Sequence, residues 1–332
     1  MSEPRLHVLG IGNAIVDVLS HADDAFLTQN RIAKGAMTLI DAERAQQLYA
    51  AMGPGIEISG GSAANTVVGV ASLGGKAAYT GKVSKDQLGE VFAHDIRAAG
   101  VSYSTPPAAD GPSTARCLIL VTPDAQRSMN TYLGASSYLA PADLDSGLIR
   151  ESAITFMEGY LFDRPAAREA FFRAAEIAHG AGRQVALTLS DPFCVDRYRS
   201  EFRMLVKQGV DILFANEKEI VSLYEVHDFD DALQLVRRDC RMAALTRSEK
   251  GSILVTGEEV HVIDAEPVPN VVDTTGAGDL YASGVLYGLA RGFDPATCGR
   301  LGSLAAAEVI SHFGARPETP LKDLAARAGL KV

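Results

Sequence analysis

The second half of the chain alternates short apolar runs with longer helical stretches, and this alternation constrains the fold more than any other feature. Four of the runs are predicted to be buried strands: Ala153 to Met157, Gln184 to Leu189, Asp211 to Phe214 and Met242 to Leu245. Helical sequence follows each of them. Repeated strand-then-helix units at this spacing predict a parallel sheet covered by helices on both faces, with right-handed crossovers.

The region between residues 101 and 134 breaks this alternation. Val101 to Tyr103, Arg116 to Val121 and Arg127 to Leu133 are extended segments separated by turns rich in proline and glycine. They predict a small antiparallel sheet that projects from the main body, and the irregular sequence over residues 14–42 is expected to join it. We therefore predict one domain, residues 1–332, with a lid contributed by residues 14–42 and 101–134.

The segment Asp273-Thr274-Thr275-Gly276-Ala277-Gly278-Asp279 follows a short extended run at Val271 and Val272 and leads into a helix. A two-glycine turn at a helix N-terminus presents backbone N–H groups at the positive end of the helix dipole, where phosphate oxygens bind readily. Asp279 would oppose an anion there unless it had a chemical role, such as taking a proton from an attacking hydroxyl. The alternative is an acid that only favours the first helical turn.

A second glycine-rich segment, Gly60-Gly61-Ser62-Ala63-Ala64-Asn65, precedes a helix of small residues that Ser62 is predicted to cap. Two glycines allow a ligand to approach the backbone closely, and Asn65 offers both a donor and an acceptor. The alternative is a helix packed tightly against a sheet, with Asn65 simply exposed. The segment is therefore a candidate binding site for polar groups.

The N-terminal strand, predicted at Leu6 to Ile11, is followed by Asn13 and Asp17 at the edge where open α/β sheets bind ligands. The run from Gly10 to Asp17 invites comparison with the dinucleotide-binding fingerprint. Its third glycine would fall at Ile15, so that signature fails and a dehydrogenase is disfavoured.

Composition excludes several classes of function. The 332 residues are 47% apolar, which is ordinary for a globular protein, and the net charge of -10 disfavours nucleic acid and anionic membranes as partners. The four cysteines lie far apart and the seven histidines form no ligand-spaced cluster, so neither a disulfide framework nor a zinc site is predicted. No targeting or membrane-spanning pattern is present, and we expect a cytoplasmic enzyme or binding protein.

Together the motifs resemble the ribokinase-like (pfkB) family of carbohydrate and nucleoside kinases. The run from Asp273 to Asp279 is highly specific for that family, and Asp17, the Gly60 to Asn65 run and Asn216-Glu217-Lys218-Glu219 occur in the family order. P-loop and protein-kinase motifs are absent. The resemblance implies an α/β three-layer core with a mostly parallel central sheet and a small β-sheet lid. It also implies transfer of the γ-phosphoryl group of ATP to a primary hydroxyl.

By the same resemblance, Asp279 is the catalytic base and Gly276, Ala277 and Gly278 form the anion hole. Phosphoryl transfer depends mainly on positioning and charge stabilisation, so one carboxylate and oriented N–H groups suffice alongside Mg²⁺. The residues expected to bind the acceptor substrate are Asn13, Asp17, Gly60, Gly61 and Asn65.

Asn216 and Glu219 resemble the family element that organises Mg²⁺ and its waters, the alternative being that they only cap a helix. The loop from Thr246 to Gly251 resembles the nucleotide-binding loop, with Ser248 in place of the first glycine. The residues expected to contact ATP are Asn216, Thr246, Ser248, Gly251 and Thr275. Asp273, Thr275 and Gly314 match positions where relatives bind a monovalent cation, which makes K⁺ activation a hypothesis.

The run from Gly10 to Asp17 and the segment Gln126-Arg127-Ser128 resemble adenosine kinases more than sugar kinases. Arg127 would then neutralise the transferring phosphoryl group, the alternative being a surface charge on a lid strand. Phe26, Tyr132 and Phe162 are candidates to stack on a base, although scattered aromatics are more often core. We expect phosphorylation of a nucleoside 5'-hydroxyl, adenosine to AMP.

Two alternatives stay open for the substrate and the activity. One is a sugar kinase of the same family acting on ribose, fructose or a relative, and the other is a non-catalytic nucleoside or sugar sensor. Exposed lid edges are compatible with a monomer or a homodimer.

Overall fold

The computed structural model describes residues 3–124 and 126–332. The strands are β1 (Leu6–Ile11), β2 (Ile15–His21), β3 (Met37–Leu39), β4 (Gly55–Gly60), β5 (Ala77–Thr80), β6 (Val101–Tyr103), β7 (Ala115–Val121), β8 (Arg127–Tyr132), β9 (Ser152–Glu158), β10 (Gln184–Thr188), β11 (Ile212–Asn216), β12 (Met242–Thr246), β13 (Ser252–Thr256) and β14 (Glu259–Ile263). The helices are α1 (Asp24–Gln29), α2 (Ala42–Ala51), α3 (Ser62–Ser72), α4 (Gln87–Ala98), α5 (Ser146–Glu151), α6 (Pro165–Gly180), α7 (Pro192–Gly209), α8 (Glu217–Tyr224), α9 (Phe229–Asp239), α10 (Ala277–Ala290), α11 (Pro295–Val309) and α12 (Leu321–Arg327). No helix within these ranges is both long enough and apolar enough to span a membrane.

The main sheet has nine strands in the order β14-β13-β12-β11-β10-β9-β1-β5-β6. The pairs from β12 to β6 are parallel, and the β13–β14 hairpin closes one edge in antiparallel fashion. Val67, Leu280 and Leu301 belong to the core on one face, and Phe171 and Phe202 to the core on the other. Helices α3, α10 and α11 therefore cover one face and α6 and α7 the other, which confirms the predicted α/β class.

The second sheet, which we call the lid, has five strands in the order β3-β8-β7-β2-β4. The prediction missed two of these strands, Ile15–His21 and Gly55–Gly60. Strand β2 alternates buried and half-buried residues, and β4 has a glycine at each end, so neither gives a continuous apolar run. Asp17 consequently lies within a lid strand instead of at the end of a body strand.

The placement of Val101–Tyr103 in the lid was also wrong. This short strand pairs in parallel with β5 at the edge of the main sheet. Helix α4 connects the two strands, so they form an ordinary strand-helix-strand unit. A three-residue strand has too short a hydrophobic pattern to show whether it belongs to the edge of the main sheet or to the edge of the lid.

Two local predictions need correction. Val271 and Val272 form no strand, although the Val272 amide donates to the Ile310 carbonyl at 2.8 Å. Ser62 is the first residue of α3 and does not cap it, because the cap is Gly61 at a φ of 98°. Glycine is favoured at that φ, and the Ser62 hydroxyl is thereby left for another partner.

Candidate active site

A cleft of about 930 Å³ lies between the lid and the carboxyl-terminal ends of the body strands. Of the predicted site residues, those that line it are Asn13, Asp17, Gly61, Asn65, Asn216, Glu219, Thr246, Thr275, Gly276, Ala277, Gly278 and Asp279. Those outside its lining are Gly60, Arg127, Ser248, Gly251, Asp273 and Gly314. Open α/β sheets bind ligands at this edge, so the cleft is the candidate active site.

The glycine turn before α10 has the geometry of an anion site. Gly276 caps the helix at a φ of 79°, and a Cβ added there would lie 2.8 Å from the Cβ of Ala315. In the described part of the chain, the Gly276 and Gly278 amides have no acceptor. Unpaired N–H groups at a helix N-terminus attract phosphate oxygens.

Asp279 lies in the first turn of α10, where two side chains from α3 hold its carboxylate. The Ser62 hydroxyl donates to Oδ1 at 2.6 Å and Asn65 Nδ2 donates to Oδ2 at 3.0 Å. Burial raises the pKa of Asp279, and these two hydrogen bonds and the charge of Arg316 oppose that rise. The carboxylate is thus oriented in the cleft beside the anion site, as a general base must be.

Asp17 on lid strand β2 differs from Asp279 because no donor among the described residues reaches its carboxylate. It packs against Gly60, where any side chain would collide with its oxygens. Burial raises the pKa of Asp17 to about 7, Arg316 and Arg127 oppose the rise, and Asp279 adds to it. Asn65 Oδ1 also lacks a donor and is buried. Both groups are therefore available to accept hydrogen bonds from hydroxyl groups of a ligand.

Asn13 is held by a residue that the sequence reasoning missed, Glu158 at the end of β9. Asn13 Nδ2 donates to Glu158 Oε1 at 2.8 Å, and its Oδ1 accepts from the Ser136 hydroxyl at 2.8 Å. The amide of Ala63 donates to the other Glu158 oxygen at 2.8 Å. Burial raises the pKa of Glu158 to about 7. Its position at the end of an apolar strand was a signal in the sequence that could have identified Glu158 as a site residue.

Asn216 and Glu219 form a reciprocal cap at the start of α8 and also face the cleft. Asn216 Nδ2 donates to Glu219 Oε1 at 2.6 Å, and the Asn216 amide donates to Oε2 at 3.0 Å. Glu219 is 5% exposed, and burial raises its pKa to about 7. Within the described ranges, no group of three or more His, Cys, Asp or Glu side chains is arranged to hold a metal. The side-chain oxygens of Asn216 and Glu219 are therefore better suited to contact a metal ion through its water molecules than to coordinate it directly.

The loop after β12 carries Ser248 at a φ of 53° and Gly251 at a φ of 80°. Ser248, which replaces the first glycine of the family motif, thus keeps the left-handed backbone that glycine favours. A Cβ at Gly251 would collide with the carbonyl of Ile263. Thr246, at the start of the loop, faces the cleft. The loop therefore keeps the left-handed backbone at position 248 although serine replaces glycine there.

Asp273, Thr275 and Gly314 come together, and Arg127 from lid strand β8 joins them. Asp273 forms an ion pair with Arg127, whose side chain is 8% exposed. The interpretation of Arg127 as a lid surface charge is therefore wrong. Its Nη1 also donates to the Thr275 hydroxyl at 3.0 Å, while Nε and Nη2 are buried without an acceptor.

Arg316 is a second residue that the sequence reasoning missed. Its Nη2 donates to the carbonyl of Ser59 at 2.6 Å and to the Ser59 hydroxyl at 2.9 Å. The preceding residue, Ala315, lies against Gly276. Arg316 therefore connects the two glycine-rich segments, and no motif in the sequence predicted this.

Apolar side chains of the lid line the far wall of the cleft. They include Ile15, Met37, Leu39, Ile119 and Met129. Phe193 at the start of α7 also lines the cleft and is 76% exposed. Of the aromatics considered from the sequence, Phe162 is buried in the core, and Phe26 and Tyr132 do not line the cleft. The aromatic residues that line the cleft are instead Tyr160, Phe193, Phe214 and Tyr281, of which Phe193 is the exposed one.

The pfkB family of carbohydrate kinases matches residues 40–322, and this chain belongs to that family. A solved structure of an adenosine kinase from Sinorhizobium meliloti is 55% identical, with a TM-score of 0.90, covering 98% of this chain and 99% of that one. A probable sugar kinase from Rhizobium etli is 53% identical, with a TM-score of 0.92, over 99% and 100% of the two chains. Adenosine kinase from Saccharomyces cerevisiae is 24% identical over 92% of this chain and 94% of its own.

The family and its relatives define the class of enzyme. The protein is an ATP-dependent kinase that phosphorylates an alcohol group, and its relatives act on small nucleosides or sugars. The predicted ribokinase-like architecture with a second, smaller sheet is confirmed.

Proposed function

We propose that the protein transfers the γ-phosphoryl group of ATP to the 5'-hydroxyl of adenosine, giving AMP. The observation that carries this proposal is the set of apolar lid side chains that line the cleft together with the hydroxyl-binding groups. A purine needs such an apolar surface, whereas a free sugar would leave it without a partner. The likeness to a named adenosine kinase at 55% identity supports the same choice.

The ribose of the acceptor would bind at Asp17, Gly61 and Asn65. The Asp17 carboxylate and Asn65 Oδ1 have no donor from the described protein, so two hydroxyls can donate to them. Gly60 and Gly61 have no side chain, so the space beside the Asp17 carboxylate and the Asn13 carbonyl stays open. In its ionised form a carboxylate accepts hydrogen bonds from vicinal hydroxyls, which is the arrangement that ribose presents.

The base would lie between the lid wall and the ring of Phe193. Met37 and Met129 are flexible thioethers that adapt to the shape of an aromatic ligand and contact it favourably. Phe193 offers a ring at the exposed start of α7. Stacking and apolar contact with this wall would select a nucleoside over the corresponding free sugar.

Asp279 would take the proton of the 5'-hydroxyl as that oxygen attacks the phosphoryl group. Ser62 and Asn65 hold the carboxylate in one orientation, which leaves it aimed beside the glycine turn. The amides of Gly276, Ala277 and Gly278 would stabilise charge that develops on the transferring group. Arg127 would hold the same turn from the lid through its contacts with Asp273 and Thr275.

Thr246, Ser248, Gly251, Thr275 and Asn216 would contact ATP. Asn216 and Glu219 would hold Mg²⁺ through its water shell, since their own atoms already bond to each other. When bound, Mg²⁺ would neutralise phosphate charge. The residues of this chain would position the phosphates, exclude water beneath the lid and accept the proton.

The likeness to a probable sugar kinase at 53% identity favours a second candidate, a kinase for ribose, fructose or a related sugar. It would use Asp279 and the glycine turn in the same way and differ only in what fills the lid side of the cleft.

The test is a coupled assay of ADP release with ATP and Mg²⁺ against adenosine, inosine, guanosine, ribose and fructose. We expect the highest kcat/KM with adenosine, a lower one with 2'-deoxyadenosine, and no turnover with 5'-deoxyadenosine, which lacks the acceptor hydroxyl. The Asp279→Asn variant controls for a contaminating kinase. Turnover with free sugars alone would establish the second candidate and reject the first.

A further inference from the structure

We infer that the guanidinium of Arg127 is the resident cation of the Asp273 carboxylate, so that this kinase needs no monovalent metal ion there. The family resemblance predicted a cation site at Asp273, Thr275 and Gly314, and these residues do converge. The contacts that they make, however, are those of a carboxylate already neutralised by an arginine. The inference rests on the ATP-dependent kinase activity and not on which acceptor is phosphorylated.

Both carboxylate oxygens of Asp273 already receive protein donors. Oδ1 accepts the Thr275 amide at 3.1 Å and the Thr275 hydroxyl at 2.8 Å. Oδ2 accepts the Gly314 amide at 3.1 Å and pairs with Arg127. A carboxylate with four donors around it has little capacity left to act as a metal ligand.

The other two predicted ligands point to the same conclusion. The Thr275 oxygen accepts from Arg127 Nη1 at 3.0 Å, and Gly314 directs an N–H group, which is a donor, at the site. The Arg127 and Asp273 side chains are 8% and 5% exposed. A metal cation placed beside them would face the guanidinium charge with little water to screen it.

Arg127 belongs to the lid, whereas Asp273 precedes the anion hole of the body. The ring of Phe313, in the segment just before Gly314, lies 5.7 Å from the guanidinium carbon. The positive charge that neutralises Asp273 therefore depends on the position of the lid. A diffusible ion bound at Asp273 would not depend on the lid in this way. Arg127 is thus a positioning residue for the turn from Asp273 to Gly278.

The first experiment compares kinase rates in K⁺ and in tetramethylammonium at equal ionic strength, which holds general screening constant. We expect the wild-type rate to differ by less than about twofold between the two salts, the range of weak surface effects. The Arg127→Ala variant should lose at least about tenfold in kcat/KM, because it leaves Asp273 as an unpaired buried charge. K⁺ or guanidinium, but not tetramethylammonium, should restore part of that loss.

Two further variants make the test specific. Arg127→Lys retains a positive charge and should stay insensitive to the salt. Arg116→Ala removes another lid arginine, one that lies over the rings of Tyr49 and Tyr132 and makes no contact with Asp273, and it should not acquire a K⁺ response. A K⁺ response in Arg116→Ala would mean that lid damage, and not the lost charge, produces the effect.

Thermal unfolding of the ligand-free protein provides a readout without catalysis. K⁺ should raise the Tm of Arg127→Ala relative to tetramethylammonium and leave the wild-type Tm unchanged, because an ion that binds only the folded state stabilises it. Strong K⁺ activation of the wild type, or an Arg127→Ala protein indifferent to K⁺ in both assays, would overturn the inference. Rejection of adenosine as the substrate would leave this result untouched.

Discussion

The body and the lid bring different chemistry to the same cleft. The body supplies Asp279, the glycine turn and Glu219, which are polar groups at the ends of parallel strands and the start of helices. The lid supplies mainly apolar side chains, with Asp17 as its carboxylate in the cleft. Under the proposed function, the body would carry out phosphoryl transfer and the lid would select the acceptor.

The two aspartates make the contrast concrete. Asp279 is held by Ser62 and Asn65, whereas Asp17 has no protein donor in the described ranges. A restrained carboxylate suits a reaction step, and an unpaired one suits ligand hydroxyls. Changes to Asp279 and the glycine turn should therefore lower kcat, and changes to Asp17 and the apolar lid residues should mainly raise KM for the acceptor.

The largest effect is expected for Asp279→Asn. Loss of the base should lower kcat by at least about a hundredfold while leaving ATP affinity nearly unchanged. Steady-state kinetics and ATP titration would measure the two quantities. Asp110→Asn, an exposed acid outside the cleft, is the matched control. If Asp279→Asn kept a comparable kcat, Asp279 could not be the base.

Gly276→Ala should have the next largest effect. The residue has a φ of 79° and its new Cβ would press on Ala315, so the amides of the anion site should shift and kcat fall by about tenfold to a hundredfold. Gly257→Ala is the control, because it has a φ of 58° in open space on the β13–β14 turn. Both variants should lose about 1–2 kcal/mol of unfolding free energy from the left-handed backbone. Equal kcat values in the two variants would show that the glycine turn at Gly276 does not stabilise the transferring phosphoryl group.

Asp17→Asn should act on acceptor binding more than on kcat. Because its pKa is raised to about 7, Asp17 gains a proton as the pH falls through 7 and loses its capacity as a charged acceptor. We expect wild-type kcat/KM for adenosine to fall below pH 7, and Asp17→Asn to be about tenfold lower at pH 8 with a flatter profile.

Two neighbouring carboxylates complicate the pH profile, and a second variant resolves this. Glu158 also has a pKa of about 7, and Asp279 has a raised pKa. Glu158→Gln should retain the Asp17 inflection. An inflection that persisted in Asp17→Asn and vanished in Glu158→Gln would belong to Glu158 and would contradict its assignment to Asp17.

The smallest effect is expected for Met37→Ala, on an edge strand of the lid. The loss of apolar contact with the base should raise KM for adenosine by about three- to tenfold with little change in kcat. Ile56→Ala is the matched control, because it lies on the opposite edge strand, is 66% exposed and does not line the cleft. A fall in kcat instead of a rise in KM would contradict the division between lid and body.

The sequence by itself determined the parallel body sheet and the glycine turn before α10. Strands β9 to β12 are short apolar runs between helices, and the turn at Gly276 is a contiguous motif, so local pattern sufficed for both. Most of the residues expected at the site do line one cleft.

Only the tertiary structure decided what the lid contributes and how the charges are paired. The sheet that β2 and β6 join depends on long-range strand pairing, which no local pattern specifies. Asn13 meets Glu158, and Arg127 meets Asp273, across about 145 residues of chain. Buried polar groups need partners, and the tertiary fold determines which partners they have. Here Asp273 is paired with an arginine, and the Asp17 carboxylate has no donor in the described ranges.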